Sequence, residues 1–260
     1  MTSEWQRGYA PVIAVYPEVS IRRGRPGDLG WASAAAFKTD RAAFAALVAD
    51  EARSIRDCWA EEPRPYVAAT RALQHYAYYA ALAVAGPYLA GGLIPNLRPN
   101  DFAARLSSPV AIVLEPQAWT DAAEVGPEAA RAELRRVHAG LVAPVFAAGQ
   151  VAARRAPVAL WRQAADALAG ALWRLGERLQ DERAAAFEAS LVLGDRPDGG
   201  PIAPYTGGAN FREVTLPDGS RLLTRERNDC CLAYTLDNAG PCATCPRIDE
   251  TQRLELIASS

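Results

Sequence analysis

Cysteine is nearly missing from most of this chain: the first 229 of its 260 positions hold only Cys58. A chain of this length can bury a real core unaided, so the scarcity excludes a small disulfide-stapled scaffold. Histidine is almost as rare, with only His75 and His138. Each sits in or beside an apolar helical stripe and reads as a hydrogen-bonded core or boundary residue. No nucleophile–base arrangement and no carboxylate pair stands out, so the sequence offers no hydrolytic centre. Lysine occurs once, at Lys38, the other cations being arginine. A net charge of −2 and a pI near 5.8 lack the cationic excess of a nucleic-acid binder. The opening residues carry Glu4 and no apolar run, so no signal peptide is expected and a reducing cytoplasm is the expected compartment. The uncharged stretch Tyr76–Leu97 has roughly the length of a membrane span, but Pro87 interrupts it and alanine, glycine and tyrosine dominate it. Its helical part, Arg71 to Ala85, reads as a buried core helix, with at most peripheral membrane association.

The hydrophobic pattern predicts an α+β protein: a helix-dominated body with a small antiparallel sheet and a C-terminal module bearing cysteines. Val12–Val15 and Val19–Ile21 read as strands or extended segments. Asp40 should cap a helix whose apolar face holds Phe44, Leu47, Val48, Ile55 and Trp59, and Cys58 shares that face as a small buried hydrophobe. A second helix is expected over Arg64 to Ala85. Phe102–Leu106 and Val110–Leu114 should pair as strands. A third helix starts near Pro127 and meets Pro144, and one long helix is expected from Pro157 to Leu191. Residues 195–210 carry four glycines and three prolines and read as a linker or ordered loop. Phe211–Leu216 and Arg221–Arg227 flank a Pro217-Asp218-Gly219-Ser220 turn, which signals a hairpin. Leu232–Leu236 reads as a further strand, turned back by Asp237–Gly240. The boundary is placed between a body over 1–205 and a hairpin-plus-cysteine module over 206–260.

What that module has is thiols. Cys230 and Cys231 are adjacent, and Cys242 and Cys245 form a Cys-x2-Cys pair before Pro246. A Cys-x2-Cys turn puts two sulfurs on one metal but does not separate zinc from iron–sulfur. Adjacent cysteines cannot form a zinc knuckle, and on a regular strand they would point to opposite faces. Irregular backbone is therefore expected there, and two neighbouring sulfurs are easier to satisfy with a cluster offering two irons.

The segments Asn228-Asp229-Cys230-Cys231-Leu232-Ala233-Tyr234 and Gly240-Pro241-Cys242-Ala243-Thr244-Cys245-Pro246-Arg247 closely resemble the C-terminal [2Fe–2S] motif of the FhuF-type ferric-siderophore reductases. The helix Leu160-Trp161-Arg162-Gln163 to Leu172 resembles a second family segment, with Arg162 and Gln163 where members commonly carry glycine and asparagine. The resemblance implies a [2Fe–2S] cofactor held by Cys230, Cys231, Cys242 and Cys245, and an oxidoreductase acting on siderophore-bound iron. Hard oxygen donors hold Fe³⁺ far more strongly than Fe²⁺, so one-electron reduction would loosen the chelate. No G-x-G-x-x-G segment lies in a βαβ context, so electrons would come from an external donor of the ferredoxin or flavin reductase type. Arginines are the candidates for holding an anionic ferric siderophore. Arg22, Arg23 and Arg25 form one group, Arg154 and Arg155 a second, and Arg221, Arg225 and Arg227 a third. Arg225 and Arg227, just before Cys230, are the chosen substrate contacts or potential-tuning groups. The competing readings are an iron–sulfur electron-transfer or sensor protein without a siderophore pocket, a siderophore-binding or biosynthetic helper with structural cysteines, and a zinc-stabilised interaction module.

Overall fold

The computed structural model describes residues 3–194, 203–216 and 219–258. Helix α1 (Glu4–Val15) opens on a capping box, in which Ser3 Oγ accepts from the Gln6 N–H and Gln6 Oε1 from the Ser3 N–H, both at 3.2 Å. The expected extended segment at Val12–Val15 is therefore helical. The cap and the complete burial of Tyr9 and Val12 outweigh the local β-branched preference. Strand β1 (Val19–Arg23) follows as expected. Asp40 caps α2 (Arg41–Trp59), accepting from the Ala42 and Ala43 N–H groups at 2.9 and 3.1 Å. Cys58 is exposed rather than buried. It keeps the angular phase of Ile55, but Arg56 and Asp57 are exposed with it, and in the last turn of α2 Trp59, not Cys58, packs against the body.

Helix α3 (Pro65–Gly91) is the central element and runs through Pro87 instead of ending at Ala85. Pro87 lacks an N–H, but it is buried where α1 crosses, and that packing offsets the lost bond. Among the described residues no helix is long and apolar enough to cross a membrane. Strands β2 (Leu93–Asn96), β3 (Phe102–Arg105), β4 (Val110–Leu114) and β5 (Ala118–Asp121) come next. The predicted β3–β4 pair is antiparallel, Phe102 opposite Leu114. The sheet as a whole is mixed, not antiparallel, because β1 adds to β4 in parallel with Val19 opposite Val110. Two helices separate those strands in sequence, which gives the chain the crossover that a parallel pair requires. β2 and β5 form their own antiparallel pair.

A single turn, α4 (Ala122–Val125), leads to α5 (Pro127–Ala153), which contains Pro144. The long helix expected over 157–191 is two helices, α6 (Pro157–Arg178) and α7 (Glu182–Leu193). Gln180 takes a positive φ of 63° between them. A Cβ on Gly176 would stand 2.1 Å from the Ala185 Cβ, so this glycine admits α7 against the end of α6. Strands β6 (Phe211–Thr215) and β7 (Arg221–Arg225) form the expected hairpin, Phe211 opposite Arg225. Part of its turn, Pro217-Asp218, and much of the expected linker, 195–202, lie outside the described residues. Helix α8 (Glu250–Ala258), not anticipated, closes the chain. The fold is α+β and helix-dominated.

Candidate functional site

Helix α6 anchors the cysteine module through one carboxylate. Asp166, its side chain 2 % exposed, accepts at Oδ1 from the backbone N–H of Asn228 at 2.9 Å, from Asn228 Nδ2 at 3.0 Å and from Arg225. Its Oδ2 accepts from the Asp229 N–H at 3.0 Å and lies 3.7 Å from Arg227 Nε. A buried charge is tolerable only when paired and hydrogen-bonded, and Asp166 has both. One turn earlier, Gln163 Nε2 donates to Asp229 Oδ2 at 3.0 Å. Arg155 Nη2, from the loop before α6, donates to the Cys230 carbonyl at 2.8 Å. Gly207 makes room for Asn228, since a Cβ there would meet its Oδ1 at 2.3 Å.

The cysteine backbone is irregular, as adjacency demanded. Leu232 takes a left-handed φ of 64°, and Ala233–Thr235 form a single 3-10 turn in place of the expected Leu232–Leu236 strand. That reversal aims amides at the sulfurs: the Leu232 N–H donates to Cys230 Sγ at 3.4 Å, and the Ala233 N–H to the Cys231 sulfur. The Cys-x2-Cys turn is closed by the Cys245 N–H to Cys242 carbonyl bond at 2.9 Å. It is held from behind by Arg253 of α8, whose guanidinium donates to the carbonyls of Ala243 at 2.6 Å and Cys245 at 3.1 Å.

These loops bring the thiols together. The Cys231 side chain hydrogen-bonds to both Cys230 and Cys242, and Cys245 lies close enough to act on Cys230 by charge. Cys230, Cys231 and Cys245 are buried, while Cys242 is partly open. Hydrogen bonds from Cys230 and Cys242, with the Arg227 charge, hold Cys231 well below the ordinary thiol range, and the same sharing plus burial pushes Cys230 and Cys242 up. Among the described residues no three ligand groups surround one ion position. Cys230, Cys231 and Cys242 run as a hydrogen-bonded chain, with Cys245 near Cys230.

As a donor set, four thiols, two of them met by backbone N–H groups, suit a thiolate-ligated metal or cluster, and Arg227 adds a further fit. Its side chain is 10 % exposed, and its charge acts on Cys231, Cys242 and Cys230. Its buried Nη2 has no hydrogen-bond partner among the described residues. One carboxylate facing two guanidiniums leaves a surplus positive charge beside the sulfurs, which a negatively charged thiolate cluster would balance.

The other sequence candidates separate. Arg225, 4 % exposed, is committed to structure: besides Asp166 Oδ1 it donates to the carbonyls of Asp166 and Ala209, each at 3.0 Å. Arg155 reaches the module, whereas Arg154 stacks over Tyr66. Arg221 pairs with Glu213 and Arg23 with Glu115, both on exposed surface. His138 is fully buried, bonded to the Tyr205 hydroxyl at 2.8 Å and the Ala77 carbonyl at 3.1 Å, as a satisfied core histidine should be. His75 Nδ1 sits 2.6 Å from Glu51 Oε2, and the same buried carboxylate takes Arg71 Nε at 3.0 Å. Burial pushes the Glu51 carboxyl up, but His75 and Arg71 more than offset that and hold it below the ordinary carboxylate range.

Sequence reasoning missed Asp166, Asn228 and Arg253. The available signal for Asp166 was its setting: a lone carboxylate in Ala164-Ala165-Asp166-Ala167-Leu168-Ala169, where the helix is apolar all round and any charge must find a buried partner. No protein-family model matches this chain, and no curated protein matches it in sequence.

Proposed function

We propose that Cys230, Cys231, Cys242 and Cys245 hold a [2Fe–2S] cluster and that the protein is a cytoplasmic ferric-siderophore reductase supplied with electrons by an external donor. The observation that carries this reading is the gathering of four thiols from two loops, with N–H groups donating to two of them and the buried Arg227 charge close by. The cluster would supply one-electron transfer. The chain's own part is to hold it: Leu232 and Ala233 N–H groups stabilise thiolate charge, Arg227 favours the more negative reduced state, Asp166 fixes the first cysteine loop against α6, and Arg253 holds the second. The resemblance of the cysteine segments to the ferric-siderophore reductases supports the choice of acceptor.

The test is anaerobic reconstitution with iron and sulfide. We expect a coloured protein with visible absorption bands, lost or strongly altered in the single Cys→Ser variants at positions 230, 231, 242 and 245 and intact in Cys58→Ser. A colourless protein that takes up zinc stoichiometrically would overturn the cluster and favour a structural metal. Bleaching by Cys58→Ser but not by Cys231→Ser would overturn the ligand set.

A further inference from the structure

A cavity of about 320 Å³ opens where α3, α6 and the Cys-x2-Cys loop meet. Gln74, His75 and Tyr78 line it from α3, Trp173 and Arg174 from α6, and Thr244, between two of the cysteines, from the module. Its charge is unbalanced. Among the described residues, Asp166 is the only carboxylate on its wall, against the guanidiniums of Arg174, Arg225 and Arg227. Arg225 cancels Asp166 and Arg227 lies beside the sulfurs, which leaves Arg174, paired at the surface with Glu177, as the cation a ligand could recruit beside the aromatic faces. Among the described residues Arg174 forms one hydrogen bond, an exposed one to Glu177 at 3.1 Å that costs little to release, and its guanidinium lies 5.1 Å from the Trp173 ring centroid. His75 presents an imidazole whose Nδ1 is already fixed by Glu51, so its free edge is the Nε2 side. The cavity continues into a second hollow through Tyr78, Tyr79 and Arg174. There, Arg178 is 2.6 Å from Glu18 and Arg174 bonds Glu177, so that outer part is neutral.

We infer that this cavity is a binding site for an anionic, oxygen-rich metal chelate, received by Arg174 with His75 as a further polar contact and Trp173 as a flat wall. The inference rests on the reductase reading for its biological substrate and narrows that substrate to chelates of net negative charge. A bound chelate would touch Thr244, one residue from Cys245 and two from Cys242.

Gallium(III) citrate is the probe, because gallium accepts no electron and binding is read apart from reduction. Its partner is gallium(III) held by a cationic linear trihydroxamate. We expect the citrate complex to bind by calorimetry and to quench tryptophan fluorescence, the quench disappearing in Trp173→Phe. Arg174→Gln should weaken it roughly tenfold, as loss of one charged hydrogen bond implies, and Arg174→Lys should recover most of that. The cationic complex should bind more weakly than citrate and be indifferent to Arg174→Gln. Arg174 is 56 % exposed, so its replacement leaves the fold intact. Equal binding of both complexes, binding of neither, or unchanged citrate affinity in Arg174→Gln would overturn the proposal. A protein that binds gallium citrate in this way but stays colourless after reconstitution would keep the cavity assignment and lose the reductase reading.

Discussion

His138 shows what burial does to a single titratable side chain. Desolvation drives its pKa down to about 4, the Ala77 carbonyl recovering only part of the loss. In the unfolded chain an imidazole titrates near 6.5, so between those values the unfolded state binds the extra proton. The contribution of His138 to stability is therefore complete above about pH 6.5 and is lost as pH falls towards 4, at up to ~1.4 kcal/mol per pH unit. Denaturation midpoints measured across that window should show this slope, and His138→Gln should flatten it. An unchanged slope in the variant would assign it to other groups. At the residue scale the sequence was most informative where side-chain chemistry is specialised. Cysteines cluster for few reasons, and the apolar stripe beside His138 kept that histidine out of any site. It was least informative for Asp166 and Arg225, because the same residue types decorate solvated surfaces, and only a buried partner distinguishes the two uses.

Between α6 and the cysteine module, docking depends on a polar contact rather than an apolar one. Asp166→Ala would leave Arg225 and Arg227 buried without their counter-charge, a loss of about 3–5 kcal/mol. Hydrogen exchange should show it locally: amides of Arg225 to Asp229 lose protection while those in the middle of α3 do not. Unchanged protection at Asn228 and Asp229 would mean that the module is held by other contacts. Helix starts were legible in the chemistry of their caps and first turns, as at Asp40 and Pro127. The α6–α7 break was not. No proline marks it, and both helices continue a 3.6-residue apolar period, so the turn at Gln180 is set by Gly176 admitting Ala185. The α1 error has the opposite cause: Val12 to Val15 favour a strand locally, and burial against α3 overrides them.

Taken as a whole, the molecule joins a large apolar body to a small tail. Nearly all of the continuous core belongs to residues before 194, whereas the described tail residues that are buried and apolar, cysteines apart, are Tyr205, Ala209, Val214, Ala233 and Leu236. Too little area is buried there to order the tail by itself, so metal ligation should add folding free energy to it. Limited proteolysis of reconstituted and iron-stripped protein should therefore differ: stripping exposes sites after residue 203 while the helices of the body survive. Identical digestion patterns would show that the thiols contribute nothing to order. The Asp166 junction also has a temporal side. Its partners Arg225, Asn228 and Asp229 follow it by 59, 62 and 63 residues. At about 5–20 residues per second of synthesis, they reach the carboxylate some three to twelve seconds after it is made. During translation α6 therefore waits with a solvated acid on its surface, and the body matures before the cysteine-bearing module exists.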